Sequence, residues 1–154
     1  MVYTELMEKP PDTIALNRRA RFDYEIAETF EAGIELRGFE AKSAKAGQMQ
    51  LSGAHTLVRG NELWLLNSQI PAYQPKNSPL DYDPGHTRRL LMHTAEIKRI
   101  AGLMKEKKSS LIPLRAYVKK NLVKIELGLG RPRKKSDKRE FLKEKSARRE
   151  MREE

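Results

Sequence analysis

The most constraining feature of this sequence is a series of short segments in which apolar and polar residues alternate. The clearest segment puts its aliphatic side chains on one face and its charged side chains on the other: Val123, Ile125, Leu127 and Leu129 against Lys124 and Glu126. This period of two is typical of a β-strand with one buried and one wet face. Leu114–Val118 has the same period, and Lys120 and Asn121 between the two segments predict a β-hairpin.

Five further segments also predict strands: Phe22–Ile26, a run from Ile34 towards Phe39, His55–Arg59, Glu62–Leu66 and Arg88–Met92. Gly60 and Asn61 form a two-residue turn between the third and fourth of these segments, which predicts a second hairpin. Gly33 and Gly38 interrupt the early alternation, as bulges and barrel corners do.

Two helices and one long loop complete the pattern. The first helix is predicted over residues 39–48 and ends at Gly47. The second follows Thr94, because Ile97, Ile100, Ala101 and Met104 recur at helical spacing. Several prolines mark residues 71–87 as a long loop of functional or mobile character. The predicted fold class is mainly β with α: a small OB-like antiparallel β-barrel with two or three flanking helices and a basic C-terminal tail.

The charge distribution divides the chain of 154 residues into three parts. Residues 1–13 are predicted to be a flexible arm, residues 14–130 an OB-like RNA-binding barrel, and residues 131–154 a basic tail. The tail holds eleven Lys and Arg against six Asp and Glu, a net charge of +5 out of the +10 of the whole chain. Its apolar residues are too sparse to hold a helix on a core, so we expect it to be disordered when free and helical when bound.

Several function classes have no support in the sequence. There is no cysteine, which excludes thiolate zinc sites, disulfides and thiol nucleophiles. No phosphate loop, nucleophile elbow or dinucleotide fingerprint is present, and the only possible metal cluster is Asp81, Asp83 and His86 in the long loop. We expect no enzyme activity, metal or cofactor. An enzyme that acts on RNA through a divalent metal on those three residues remains an alternative. With no apolar segment long enough to span a bilayer and no signal-peptide pattern, the chain is expected to be cytoplasmic, with no membrane partner, and monomeric.

The basic residues fit a polyanionic partner, although charge alone also fits a lysine-rich solvated surface. They form three local clusters: Arg18, Arg19 and Arg21; Lys42 and Lys45; Arg88 and Arg89. Because guanidinium groups match phosphate geometry, these clusters predict an RNA-facing surface. Aromatic residues make up only 6% of the chain, which favours recognition of folded RNA over stacking on single strands. A ribosome-associated or general single-strand RNA-binding OB-fold protein stays open as the alternative function.

Five sequence runs resemble the SsrA-binding protein family, also called small protein B. They occur in order along nearly the whole chain: Ile14–Arg21, Thr29–Ile34, Gly38–Ser43 with Gly47, Thr87–Met92, and Ser136–Arg139. The resemblance implies a protein without catalytic activity that binds the tRNA-like domain of transfer-messenger RNA. It further implies delivery of that RNA to stalled 70S ribosomes in trans-translation, with the tail in the mRNA channel near the decoding centre.

The resemblance also implies individual site residues. By motif, Asn17, Glu31 and Leu91 match the positions that contact the tRNA-like RNA, and Lys42, Arg88 and Arg89 are expected beside them as phosphate contacts. From the residues alone, Glu31 is better explained as an ordinary exposed strand residue. The ribosome-binding tail is expected to use Arg133, Lys134, Lys135, Asp137, Lys138 and Arg139.

The chain departs from the family pattern at three positions. The family usually has glycine at the position of Pro132 and His or Tyr at the position of Ser136, and serine cannot stack on a base. Arg133, Lys134 and Lys135 could replace that stacking with phosphate contacts. Phe22, where the family often has His, is interpreted as a packing change.

Overall fold

A computed structural model describes residues 12–153 as a seven-stranded sheet with four helices. The strands are β1 Thr13–Leu16, β2 Tyr24–Ile34, β3 His55–Arg59, β4 Glu62–Leu66, β5 Arg88–Leu91, β6 Ser110–Lys119 and β7 Leu122–Pro132. The helices are α1 Ala20–Asp23, α2 Gly38–Lys45, α3 Thr94–Lys107 and α4 Lys135–Glu153, and a 3-10 turn covers Pro75–Asn77. The predicted arm at residues 1–13 falls almost entirely outside the described residues.

All seven strands pair antiparallel, in the order β1-β6-β7-β2-β5-β4-β3. The sheet curls so that the edge strand β3 reaches β6 without a backbone ladder. The Thr56 hydroxyl on β3 donates a hydrogen bond to the Leu111 carbonyl on β6 at 2.5 Å. This is a partly open barrel of OB-like form, and the predicted fold class is confirmed.

The core lies inside the barrel and follows the alternation of the strands. Its largest fully buried aliphatic side chains include Leu63, Leu65, Leu90, Ile125 and Leu127. Helix α3 buries Ile97 and Ile100, and both side chains belong to this core. Gly130 allows β7 and β2 to approach closely, since a Cβ there would lie 2.5 Å from the Glu25 carbonyl oxygen.

The first predicted strand is wrong at its start. Residues 20–23 form the single turn α1, and the strand begins at Tyr24. Ala20 packs against Ile112 and Leu114, and Arg19 pairs with Asp23 at 3.2 Å one helical turn away. The second predicted strand, from Ile34 towards Phe39, is also wrong: β2 ends at Ile34, and α2 begins at Gly38. Strand β2 is longer than predicted, with an irregular register between Ile26 and Glu28.

The long loop is closed on itself. The Ile70 amide donates to the Pro84 carbonyl at 3.0 Å, and the Tyr82 hydroxyl donates to the Ile70 carbonyl at 2.5 Å. These bonds hold the two ends of the predicted loop together. The hydrogen bonding of the loop therefore favours an ordered segment over a mobile one.

The tail forms helix α4, which contacts α1. The rings of Phe22 and Phe141 lie 6.2 Å apart at 51°. The Asp137 carboxylate accepts from the Lys134 amide at 3.3 Å, which caps the start of the helix. Disorder of the free tail stays a prediction. Among residues 12–153, no helix has the length and apolar character that a membrane span requires.

Candidate RNA interface

The outer face of β2, β7 and β6 brings Glu31 together with Tyr117, Lys119 and Lys124. Glu31 accepts a hydrogen bond from the Tyr117 hydroxyl and lies 3.3 Å from Lys119 Nζ. The Tyr117 bond lowers the pKa of Glu31; partial burial opposes this, and Lys119 adds to it. Burial first, and Glu31 next, raise the pKa of Tyr117 well above its usual range. Glu31 is therefore a fixed, ionised acceptor, and such a group can bind base amino groups or ribose hydroxyls.

Leu91 lies on the same face, one strand further along the sheet. Its register partner is Gly33, where a Cβ would stand 3.4 Å from Leu91 Cβ. Gly33 has no side chain to cover its neighbour, and Leu91 is 48% exposed above this glycine on the sheet surface. An exposed leucine next to an oriented carboxylate gives the face both an apolar and a polar contact.

A groove of about 210 Å³ separates α2 from this part of the sheet. The described residues lining it include two lysines and no carboxylate: Gly33, Ile34, Leu36, Ala41, Lys45, Leu91, Asn121, Leu122, Val123 and Lys124. Leu122 is 59% exposed, and Lys45 donates to the Asn121 side chain at 3.1 Å. An apolar groove with a cationic rim suits a nucleotide, whose base is flat and whose phosphate is negative.

Asn17 contacts the first half of β6 and lines a separate cavity with Asp23 and His55. Its side-chain amide donates to the Pro113 carbonyl at 2.9 Å, and its backbone amide donates to the Leu114 carbonyl at 2.9 Å. These bonds hold the chain where the β1–β6 ladder ends. The side-chain oxygen accepts no hydrogen bond within the described residues, so it is available to a donor on RNA.

The three N-terminal arginines differ in their partners. Arg18 is exposed and has no ion pair within residues 12–153. Arg19 pairs with Asp23, whereas Arg21 lies 3.7 Å from Glu126, the register neighbour of Glu31. Arg21 therefore extends the interface across the sheet, and Arg18 is the arginine most accessible to phosphate.

The prediction that Arg88 contacts RNA phosphate is wrong in this structure. Its side chain is fully buried and pairs with Glu40 at 2.8 Å. Adjacent strand residues point to opposite faces, so one of two neighbouring arginines on β5 must face the core. Arg89 takes the outer face, and Lys42 on α2 is also exposed; neither side chain has a partner in the described part of the chain.

Replacement of Arg89 by Ala tests its assignment as a phosphate contact. We expect weaker RNA binding and a slope of log affinity against log salt that is smaller by about one unit, because one released counterion is lost. A salt titration with the RNA ligand measures both quantities. An unchanged slope would contradict a phosphate contact at Arg89.

The tail residues divide into two groups. Arg133 stacks on Phe141 at 4.6 Å, and Lys138 pairs with Asp23 at 3.4 Å. Burial alone would raise the pKa of Asp23, but hydrogen bonds from Arg19 and Lys138 lower it. The remaining cations are exposed without partners among the described residues: Lys134, Lys135 and Arg139. Ser136 is exposed in the first turn of α4, and Pro132 ends β7 opposite Tyr24.

The alternative metal site does not assemble. No group of three or more His, Asp and Glu side chains in residues 12–153 could hold a metal ion. Asp83 accepts from the Gly85 amide at 3.0 Å, and His86 lies 2.8 Å from Glu40. The Asp83 side chain therefore bonds within the loop, and the His86 side chain joins the loop to Glu40.

Sequence reasoning missed several residues of this interface. It did not assign Tyr117, Lys119, Leu122 or Lys124 to an RNA contact. The hairpin alternation does place Tyr117, Lys119 and Lys124 on one wet face. What no local pattern gives is the register of β7 against β2, which puts Lys124 opposite Gly33.

A partly open β-barrel with an oriented carboxylate, exposed leucines and unpaired cations on one face belongs to the class of RNA-binding barrels. Comparison with known proteins is more specific. A model of the family described as "SmpB protein" matches residues 14–154. The chain belongs to this family.

Two relatives and one solved structure illustrate the similarity. The SsrA-binding protein of Synechocystis sp. is 47% identical over 135 residues, covering 88% of each chain. That of Synechococcus elongatus is 49% identical over 124 residues, covering 80% of each. A solved structure described as "tmRNA-SmpB: a journey to the center of the bacterial ribosome" contains a chain that is 40% identical, with a TM-score of 0.63 over 82% of this chain and 92% of that one.

Proposed function

We propose that this protein binds the tRNA-like domain of transfer-messenger RNA and delivers it to stalled bacterial ribosomes for trans-translation. The observation that carries the proposal is the similarity over four fifths or more of the chain to SsrA-binding proteins and to a tmRNA–SmpB structure. The exposed face of the barrel supports it, because Glu31, Leu91 and Lys124 lie together on one side. The protein acts as a binding partner, without catalysis or cofactor, in the cytoplasm.

In this proposal the barrel and the tail have separate tasks. The barrel face contacts RNA through Glu31 and Leu91, and Asn17 contacts it separately. Lys42, Arg89 and Arg18 neutralise phosphates around that contact, which anchors the RNA without reading its sequence. The tail carries Lys134, Lys135 and Arg139 into the RNA-lined channel of the ribosome. Cations without a protein partner can neutralise phosphates there, and the released counterions favour binding.

A reconstituted tagging reaction tests the function. Ribosomes stalled on an mRNA without a stop codon are supplied with aminoacylated transfer-messenger RNA, with and without this protein. We expect the tag peptide to be added to the stalled chain only when the protein is present. Equal tagging in both reactions, with an SsrA-binding protein from a relative active in parallel, would contradict the proposal.

Replacement of Glu31 by Gln tests the RNA face. Gln keeps the shape of the side chain but loses the charge that strengthens its accepted hydrogen bonds, and such bonds contribute about 1.5–3 kcal/mol. We therefore expect affinity for the tRNA-like domain to fall by about tenfold or more. Glu28→Gln is the matched control, because Glu28 lies on the same strand and pairs with Arg99 at 3.0 Å. Equal effects of the two changes would contradict a specific role for Glu31.

A further inference from the structure

We propose that the buried Glu40–Arg88 pair is a positioning device that sets the width of the RNA groove between α2 and β5. The inference rests on the proposed function, because it assigns this pair a role in the same RNA interface. Neither residue touches the groove itself. Both act through the outward-facing residues beside them on the same two elements.

Arg88 uses its whole guanidinium group for hydrogen bonds inside the protein. Nε donates to Glu40 at 2.9 Å, and Nη2 donates to the Tyr82 hydroxyl and the Pro84 carbonyl at 2.9 Å each. Nη1 donates to Ser68 and to the His86 carbonyl at 3.0 and 3.2 Å. This set fixes the guanidinium plane, and it joins β5 to both ends of the long loop.

Glu40 fixes α2 to that same point. One carboxylate oxygen accepts from the Arg37 amide at 2.9 Å, which caps the start of α2. The other lies 2.8 Å from both Arg88 Nη2 and His86 Nε2. Burial alone would raise the pKa of Glu40, but the bonds from Arg37, His86 and Arg88 hold it below its usual range. The helix N-terminus and β5 therefore share one ionised, fully bonded anchor.

The elements held by this anchor are those that line the groove. Ala41 and Lys45 line it from α2, and Leu91 lines it from β5. Lys42 and Arg89, the exposed cations, follow Glu40 and Arg88 by two residues and one residue. A change in the distance between α2 and β5 would move the apolar groove and its cations relative to each other.

An ion pair suits this task better than an apolar contact would. A buried pair contributes little net stability compared with well-packed apolar side chains, because both charges lose their hydration. Its hydrogen bonds have fixed directions, whereas the hydrophobic effect is non-directional. Every buried side-chain nitrogen and oxygen in residues 12–153 has a hydrogen-bond partner. The polar atoms of Glu40 and Arg88 are therefore all held by hydrogen bonds.

The decisive variant removes both partners at once. In Glu40→Met/Arg88→Met no unpaired charge stays in the core, so we expect a folded barrel that is less destabilised than Arg88→Ala, although the Ser68, Pro84 and His86 carbonyls lose their donor. Affinity for the tRNA-like domain should fall by about tenfold or more, because the apolar groove and its cations are displaced relative to each other. Amide hydrogen exchange in α2 and residues 67–87 should accelerate by about tenfold or more, independently of RNA. Arg89→Ala is the matched control, with a salt slope smaller by about one unit.

Tyr82→Phe is the milder second variant. It removes one hydroxyl that accepts from Arg88 and donates to the Ile70 carbonyl, and it leaves both charges paired. We expect a folded protein with faster exchange in residues 67–87 and a smaller loss of affinity than in the double variant.

The outcomes separate the positioning role from the proposed function. Folded variants that bind RNA as the original protein does, with unchanged hydrogen exchange in α2, would overturn the positioning role. A double variant that loses affinity with unchanged hydrogen exchange in α2 would also overturn it, because the loss would then not come from displacement of the helix. If the original protein shows no preference for the tRNA-like domain, the proposed function fails, and the exchange data still test the anchor.

Discussion

Removal of residues 134–154 should abolish peptide tagging on stalled ribosomes while binding of the tRNA-like domain stays within about threefold, a change of well under 1 kcal/mol. The physical reason is the separation of the tail from the core. Neither of the two hydrophobic clusters of the barrel includes a residue of α4. The tail contacts the barrel through surface pairs such as Phe22–Phe141 and Asp23–Lys138, and exposed pairs of this kind contribute little to stability.

Two assays on the truncated chain measure the two halves of this prediction. A titration against the tRNA-like domain reports the barrel, and the reconstituted reaction reports the tail. A full-length chain with the tail residues in scrambled order is the matched control, because it keeps the tail's charge and length. Loss of RNA binding on truncation, or full tagging with the scrambled tail, would contradict the division of tasks.

Arg88→Ala should destabilise the protein by about 3–5 kcal/mol, the largest stability effect that we expect from a single substitution. The change leaves the Glu40 carboxylate, 1% exposed, without its charged partner. It also leaves the Tyr82 hydroxyl and the Ser68 and Pro84 carbonyls without their donor. Chemical denaturation of the two proteins measures the difference. Arg89→Ala, one residue along the strand, should change stability by less than about 0.5 kcal/mol.

The stability of the protein should also depend on Glu40 in acid. Because its pKa is lower in the folded than in the unfolded state, its contribution is present above the unfolded-state pKa. That contribution is lost as the pH falls from the ordinary glutamate range through the folded-state pKa. Glu40→Gln should therefore flatten the acid side of the stability curve. Equal acid dependence of both proteins would contradict the pairing.

Local patterns predicted the hairpins and their faces because alternation and turn residues lie close together in sequence. They correctly placed β3 with β4 and β6 with β7. They did not separate Arg88 from Arg89, because the direction of each side chain depends on the position of β5 in the sheet. Glu40 and Arg88 are 48 residues apart, and no local pattern reports their contact.

Helix α1 and the docked tail were missed for a related reason. Alternation at residues 22–26 is compatible with a strand, but burial of Ala20 against Ile112 and Leu114 favours a helical turn before it. Phe141 is an isolated apolar residue in the sequence of the tail. Its partner, Phe22, lies near the other end of the chain, so the contact follows only from the folded barrel.

The most direct test of the central claim is a competition titration with the full chain. The labelled ligand is the tRNA-like domain of transfer-messenger RNA, the competitors are an ordinary tRNA and an unstructured RNA, and the experiment is run at two salt concentrations. We predict strong preference for the tRNA-like domain that persists at the higher salt, because the contacts of Glu31 and Leu91, unlike phosphate contacts, release no counterions. Equal binding to all three RNAs, lost at the higher salt, would mean that the interface is only a general polyanion-binding surface.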